Sequence, residues 1–216
     1  MKRYDDIRND IEAYVFDVIV PLYKEFDSAH REDHAHTVIS QAMELLDRMP
    51  EGYADVNREI LLVTAACHDI GLANGRDRHH LDSGVMIRSN PKLKEWFSED
   101  QIEIIAQAAE DHRASGKSAP RSIYGMLVAE ADRVIDTETI IRRTLQFGIT
   151  NFPDLDREGH VRRAVEHLKE KYGRGGYMKL WIPWSDNAAR LSELQDIIAD
   201  AAAVYTATAS VYDSLT

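Results

Sequence analysis

All six prolines of this chain (21, 50, 91, 120, 153 and 183) sit at or between stretches whose apolar residues recur every three or four positions. Residues spaced that way share one stripe of a helix. Proline ends or bends a helix, because it lacks an amide hydrogen and its ring clashes with the preceding turn. The prolines therefore punctuate a series of helices. Tyr4, Ile7, Ile11, Val15, Val18 and Leu22 form the first stripe, and Pro21 should end or bend that helix near its last turn. A second helix is predicted from near Asp33, carrying Val38, Ala42, Leu45 and Leu46 and stopping before Pro50. A third, about 55–69, is apolar nearly all round and belongs at the centre of the fold, with Gly71 placed as a left-handed cap.

Ser98-Glu-Asp-Gln101 has the form of a capping box and opens a helix to about Arg113. Another helix follows Pro120, with Tyr124, Leu127, Val128, Ala131 and Ile135 on one side. The last third reads as a helix over about 156–172, a glycine-rich turn at 173–176, an aromatic connector at 177–184 and one long amphipathic helix. That last helix carries Leu191, Leu194, Ile198, Ala201, Tyr205 and Tyr212. No alternating strand of useful length and no repeat of 20–50 residues occurs in the sequence, so the expected class is all-α.

With 216 residues, the chain suits one compact domain with appendages. Its apolar share of 44% is too high for disorder. The longest apolar run, Ile60 to Cys67, has eight residues and includes Thr64, far short of a membrane span. Met1-Lys-Arg-Tyr-Asp-Asp lacks the apolar core of a secretory signal. A net charge of −11 argues against nonspecific binding to nucleic acid or anionic membrane. A single cysteine, Cys67, excludes an intrachain disulfide framework and suits a reducing compartment; the expectation is a cytoplasmic protein.

Seven of the nine histidines fall between residues 30 and 112, where a random scatter would put roughly 3.5. Their positions carry more weight than their number. Asp132 shares the helix face of Tyr124, Val128 and Ile135, where a bare carboxylate would cost many kcal/mol. His112 follows Ile102, Ile105 and Ala109 at helical steps, and His34 heads the Val38 stripe. His68 and Asp69 end the most apolar helix, and neighbouring residues reach one ion only near such an end. Taken singly, each histidine fits a satisfied core residue, and Asp132 fits an ion pair with Arg133, Arg113 or Arg142. Four such residues on four inward faces instead suggest a site for Zn, Mn, Fe, Co or Ni.

His34, His68-Asp69 and Asp132 resemble the H…HD…D signature of the HD-domain superfamily of metal-dependent phosphohydrolases. His34-x3-Val38-x3-Ala42, Ala-Cys-His68-Asp69-Ile-Gly71, Glu-Asp-His112-Arg113 and Val-Ala-Glu-Ala-Asp132-Arg133 are similar to successive segments of its members. The resemblance implies an HD-like core over 28–136 within a single all-α domain of residues 1–216, and a C-terminal helical extension, 154–216, packed on that core. It further implies metal ligands at His34, His68, Asp69, His80, His112 and Asp132. His80 and His112 stand for the additional histidines of dinuclear members, and Asp69 would bridge the two ions. His36 competes with His34, and the step to Val38 favours His34. His30, four residues earlier, is read as second to the ligands or as a substrate contact.

Members with a lysine after the His-Asp-x-Gly segment have a phosphate clamp there, whereas this chain has Leu72. Attention moves to Arg76, Arg78, Arg113 and Lys117, with Arg113 and Lys117 expected beside the reacting phosphate. Glu110 and Asp111 either orient His112 or lie on the helix surface. Gly173-Arg-Gly-Gly176 lacks the features of a phosphate loop. Trp181, Pro183 and Trp184 fit core packing or a lid, and Cys67 fits core rather than nucleophile.

The expected function is hydrolysis of a phosphate ester, a nucleotide or another small phosphorylated metabolite, by a water activated on one or two divalent ions (Mn, Fe, Co, Ni, Zn or Mg). His68 and Asp69 would stand at the reacting centre. The alternatives are a dinuclear iron oxygenase and a non-catalytic metal- or nucleotide-binding module. The expected partner is a small phosphorylated substrate, without nucleic-acid polymer or membrane, and an oligomer is left open.

Overall fold

The computed structural model describes residues 4–27, 30–53, 55–113, 118–133 and 135–215. Helices dominate, and no strand occurs among the described residues. The residues gather into two compact units, 1–133 with 181–185, and 134–180 with 186–216. The first division between the units falls at 133/134.

In the first unit α1 (Tyr4–Tyr14) continues into a π turn at Val15–Ile19 and a 3-10 turn at Val20–Glu25. Pro21 explains the change of winding, since it cannot donate to the carbonyl four residues back. α2 (Glu32–Asp47) and α3 (Arg58–Cys67) follow, then α4 (His79–Ser89), α5 (Glu99–Asp111) and α6 (Ile123–Ala131). Every residue of α3 from Glu59 to Cys67 is buried, as its all-round apolar pattern requires. Asn57 caps its start by accepting the Ile60 amide, and Ser98 with Gln101 makes the expected reciprocal cap on α5. α4 buries Ser83, Gly84 and Ile87; two of these are small, so the apolar spacing singled out no helix there.

Leu61, Val63, Ile105, Leu127 and Val128 are wholly buried in this core. Leu61→Ala should therefore cost about 2–5 kcal/mol, cavity included, as a shift in the urea midpoint.

α4 and α5 are held by ion pairs. Arg88 donates to both oxygens of Glu103 at 2.7 and 2.9 Å and to Glu110 at 2.5 Å, while Arg121 donates to Glu110 at 2.6 Å and to Asp111. Glu110 and Asp111 thus serve these arginines and not His112. Hydrogen bonds from Arg88 and Gln107 pull the Glu103 carboxyl down to about 2. A carboxyl lowered on folding contributes stability above its unfolded value, and that contribution disappears as pH falls through the folded one. Melting curves of wild type and Glu103→Gln should differ above about pH 4.5 and converge towards pH 2, by a modest amount because Glu103 is only half-buried.

The second unit packs α8 (Arg157–Tyr172) against α7 (Thr137–Asn151), α9 (Asn187–Ala199) and α10 (Ala201–Leu215). Ile140, Ile141, Leu145, Leu168, Leu194 and Val204 form its core, and Ile135 joins them instead of extending α6. The single C-terminal helix expected from spacing is two. Asp200 adopts extended backbone, and its carboxylate accepts the amides of Ala202 and Ala203, which starts a new helix. No helix is long and apolar enough to cross a membrane among the described residues.

Candidate metal centre

Four helices of the first unit, with the first residue of α4 as a fifth contributor, deliver side chains to one point. α2 turns Ala35, Val38, Ala42 and Leu45 inward, and His34 follows the same side; His36 is exposed, stacked on Phe16 at 5.8 Å. The other three helices contribute at their C-terminal ends, where His68 caps α3, His112 caps α5 and Asp132 caps α6. Helix C-termini carry partial negative charge, so three of them beside two carboxylates make a strongly cation-seeking point. Asp69 follows His68 where the chain leaves the helix, so the two neighbours converge. Tyr23 fixes that bend: its hydroxyl donates to the Ala66 carbonyl at 2.8 Å and accepts the Asp69 amide at 3.2 Å.

The distances define two groups that share Asp69. On one side, His68 Nε2 lies 3.3 Å and His34 Nε2 3.7 Å from Asp69 Oδ2. Asp132 Oδ1 is 3.3 Å from His34 Nε2 and 3.9 Å from His68 Nε2. On the other side, His112 Nε2 is 3.2 Å and His79 Nε2 3.4 Å from Asp69 Oδ1. His34, His68 and Asp69, and separately Asp69, His79 and His112, offer ligand atoms close enough to share an ion.

Three of these histidines have their tautomer set by the backbone. Nδ1 of His68 donates to the Ala65 carbonyl at 2.7 Å, that of His112 to Ala109 at 2.6 Å and that of His79 to Arg76 at 2.7 Å. A carbonyl only accepts, so in each neutral ring Nε2 carries a lone pair. Those lone pairs point at a carboxylate, and that of His68 also meets His34 Nε2 at 3.2 Å. Asp69 Oδ1 is buried and has no hydrogen-bond partner. Buried acceptors facing acceptors need a proton or a metal cation between them. The donor set of imidazole and carboxylate fits a divalent transition metal.

The charges agree. Burial opposes ionisation of Asp69, yet His68, His112 and His34 hold its carboxyl well below the usual range; Asp132 is lowered for the same reasons, with His34 its strongest partner. Burial works against the His34 cation too, but Asp132 and Asp69 prevail and raise it to about 9.

The structure does not bring His80 into either group; His79 occupies the place expected for it. His79 is the first residue of α4, and its carbonyl lies against Gly71, which aims its ring inward. His80 keeps a buried, unpartnered Nδ1 and is pushed down to about 4 by burial and by His112 and Arg113. Arg113 donates to the Asp77 carbonyl at 2.9 Å, so it holds the loop before α4. Lys117 lies outside the described residues. His30 stands at the edge of the centre, its ring 5.5 Å from that of His34 and its Nδ1 donating to Asp27 at 2.8 Å; Arg76 binds the other Asp27 oxygen at 3.1 Å. Cys67 is buried, its thiol pushed up to about 12, which suits core packing. Tyr23 and His79 were not singled out from spacing: the first acts through a turn and the second precedes a completed helical turn.

No curated protein and no solved structure matches the chain. Residues 31–135 match the model of the HD domain family, a superfamily of metal-dependent phosphohydrolase type whose members bind divalent metals. That stretch includes the five residues of the two groups and Asp132. The order of these residues along the chain, their convergence on Asp69 and the family match agree, and residues 31–135 are similar to an HD domain with a His/Asp cluster consistent with its metal site.

Proposed function

We propose that the protein hydrolyses a phosphate ester of a nucleotide or another small phosphorylated metabolite, in the cytoplasm. The observation that carries the reading is the set of backbone-locked imidazoles whose Nε2 atoms surround Asp69. A divalent ion bound there supplies a water of lowered pKa and polarises a phosphoryl oxygen.

The chain's own residues do the rest. Asp69 presents one oxygen to each histidine pair, so it fixes two positions at once. His34, His68 and Asp132 define the first position, and His79 and His112 the second. Asp132 keeps 24% of its side chain exposed, while His68 and Asp69 are sealed, so the approach is from the Asp132 side. Arg76 and Arg113 border the centre, and their cations suit an anionic substrate in a protein whose overall charge would repel it. His30, oriented by Asp27, is placed to contact the substrate.

The sharing of Asp69 between two histidine pairs also favours a second reading, a dinuclear iron oxygenase. The test is phosphate release from a panel of nucleotides and sugar phosphates. It uses protein stripped by chelator and resupplied with Mn, Co, Ni, Zn or Mg. Loss on stripping and recovery on resupply is the expected result. Purified protein holding two irons per chain, with an absorbance that changes on exposure to oxygen and no phosphate released, would replace hydrolysis by oxidation. Nucleotide binding that raises the melting temperature without any turnover would leave a binding module.

A further inference from the structure

The chain leaves the first unit just after Asp132 and rejoins it at Trp181, and it rejoins at the same helical turn. The Trp181 amide donates to Glu130 Oε2 at 2.9 Å, and Glu130, two residues before Asp132, is wholly buried. Its backbone belongs to the end of α6, where Asp132 N–H bonds the Val128 carbonyl and Arg133 N–H the Glu130 carbonyl. From Trp181 the segment continues into the core. Ile182 is buried, and the Trp184 indole donates to the Leu45 carbonyl at 2.8 Å and stands edge-on to Tyr53 at 4.5 Å. Arg48 donates back to the Trp184 carbonyl at 3.1 Å. Leu45 and Arg48 lie at the end of α2, the helix whose first turn carries His34.

Five residues thus tie the end of α2 to the end of α6, and those two helices supply His34 and Asp132, which meet at 3.3 Å. A helix end frays readily unless its last turn is tied. A carboxylate as deeply buried as Glu130 would be costly without such a donor. We propose that residues 181–185 form a clasp that positions Asp132 against His34 and His68, with Glu130 as the positioning residue through which it acts. The proposal rests on the reading of Asp132 as a metal ligand.

The test is titration of the full chain with Mn2+, resolved into two affinities, on wild type, Glu130→Ala and Glu130→Gln. Asp132→Asn identifies the affinity that belongs to the His34 side. Glu130→Ala should weaken that ion by about 10–100-fold, the range for losing a group that orients a ligand, and leave the ion beside His79 and His112 unchanged. Glu130→Gln keeps an acceptor for the Trp181 amide and should recover most of the affinity. Combined with Asp132→Asn, Glu130→Ala should add nothing further at the His34 side. If Glu130→Ala does not fold, Trp184→Phe removes the bond to Leu45 and trims the edge contact with Tyr53, and it should give the same one-sided weakening. By linkage, Mn2+ should slow hydrogen exchange at the Trp181 amide in wild type. Equal affinities in wild type and variants, or equal losses at both ions, overturn the clasp and leave the metal centre standing. A wild-type protein that takes up no Mn2+ overturns the centre itself, and the clasp with it.

Discussion

Replacing Asp69 by alanine should leave the protein without either divalent ion and lower the proposed phosphoester hydrolysis by about a thousandfold or more. The size follows from geometry: Asp69 is the one residue common to both ligand groups, one oxygen within 3.3 Å of His68 and the other within 3.2 Å of His112. Other ligands serve one side, so His79→Ala should empty one position and spare the other. Elemental analysis of protein loaded with Mn2+ and desalted is the direct measurement. Asp69→Ala should hold close to none and His79→Ala close to one ion per chain, against two for wild type. Two ions retained in Asp69→Ala would sink the shared-carboxylate arrangement. Circular dichroism of the variant separates loss of the ions from loss of the fold, because removing one partner of a buried charged cluster costs stability by itself.

Gly71→Ala should be nearly as damaging without touching a ligand. A methyl group on Gly71 would overlap the His79 carbonyl and the Ser83 amide, both backbone atoms of the first turn of α4. Backbone cannot swing aside as a side chain does, so α4 must back away. The Gly71 amide would then lose its 2.9 Å bond to the Ser83 hydroxyl. Overpacking of this kind costs about 1–3 kcal/mol, visible as a lower melting temperature. The displaced element carries His79, so the ion beside His112 should be lost while the one held by His34, His68 and Asp132 persists. A variant with unchanged melting and two ions would show that α4 does not depend on this contact. Gly71 follows an apolar helix, a place that predicts a left-handed cap. Its φ is not in the left-handed region, and its role is close approach.

The sequence by itself determined the helical class and the helices that begin with a cap and carry a stripe. Ser98 to Gln101, the apolar run of α3 and the Val38–Ala42–Leu45 face all stand where spacing placed them. It also determined the choice of His34 over His36, and the inward aim of His112 and Asp132. Each of these follows a regular helix whose 100° steps project a residue onto a known face. Other features depended on contacts between segments distant in sequence. Whether His79 or His80 meets Asp69 is settled by how the first turn of α4 lies on Gly71, before any helical period exists to read. The Tyr23 hydroxyl holds the Asp69 bend from 46 residues away, and Trp181 reaches Glu130 from 51. The break at Asp200 and the transfer of Ile135 to the second core belong to the same class. Periodicity tells which side of a helix faces inward, because that is a property of one segment. Which atoms then meet there is a property of pairs of segments, and only tertiary packing decides it.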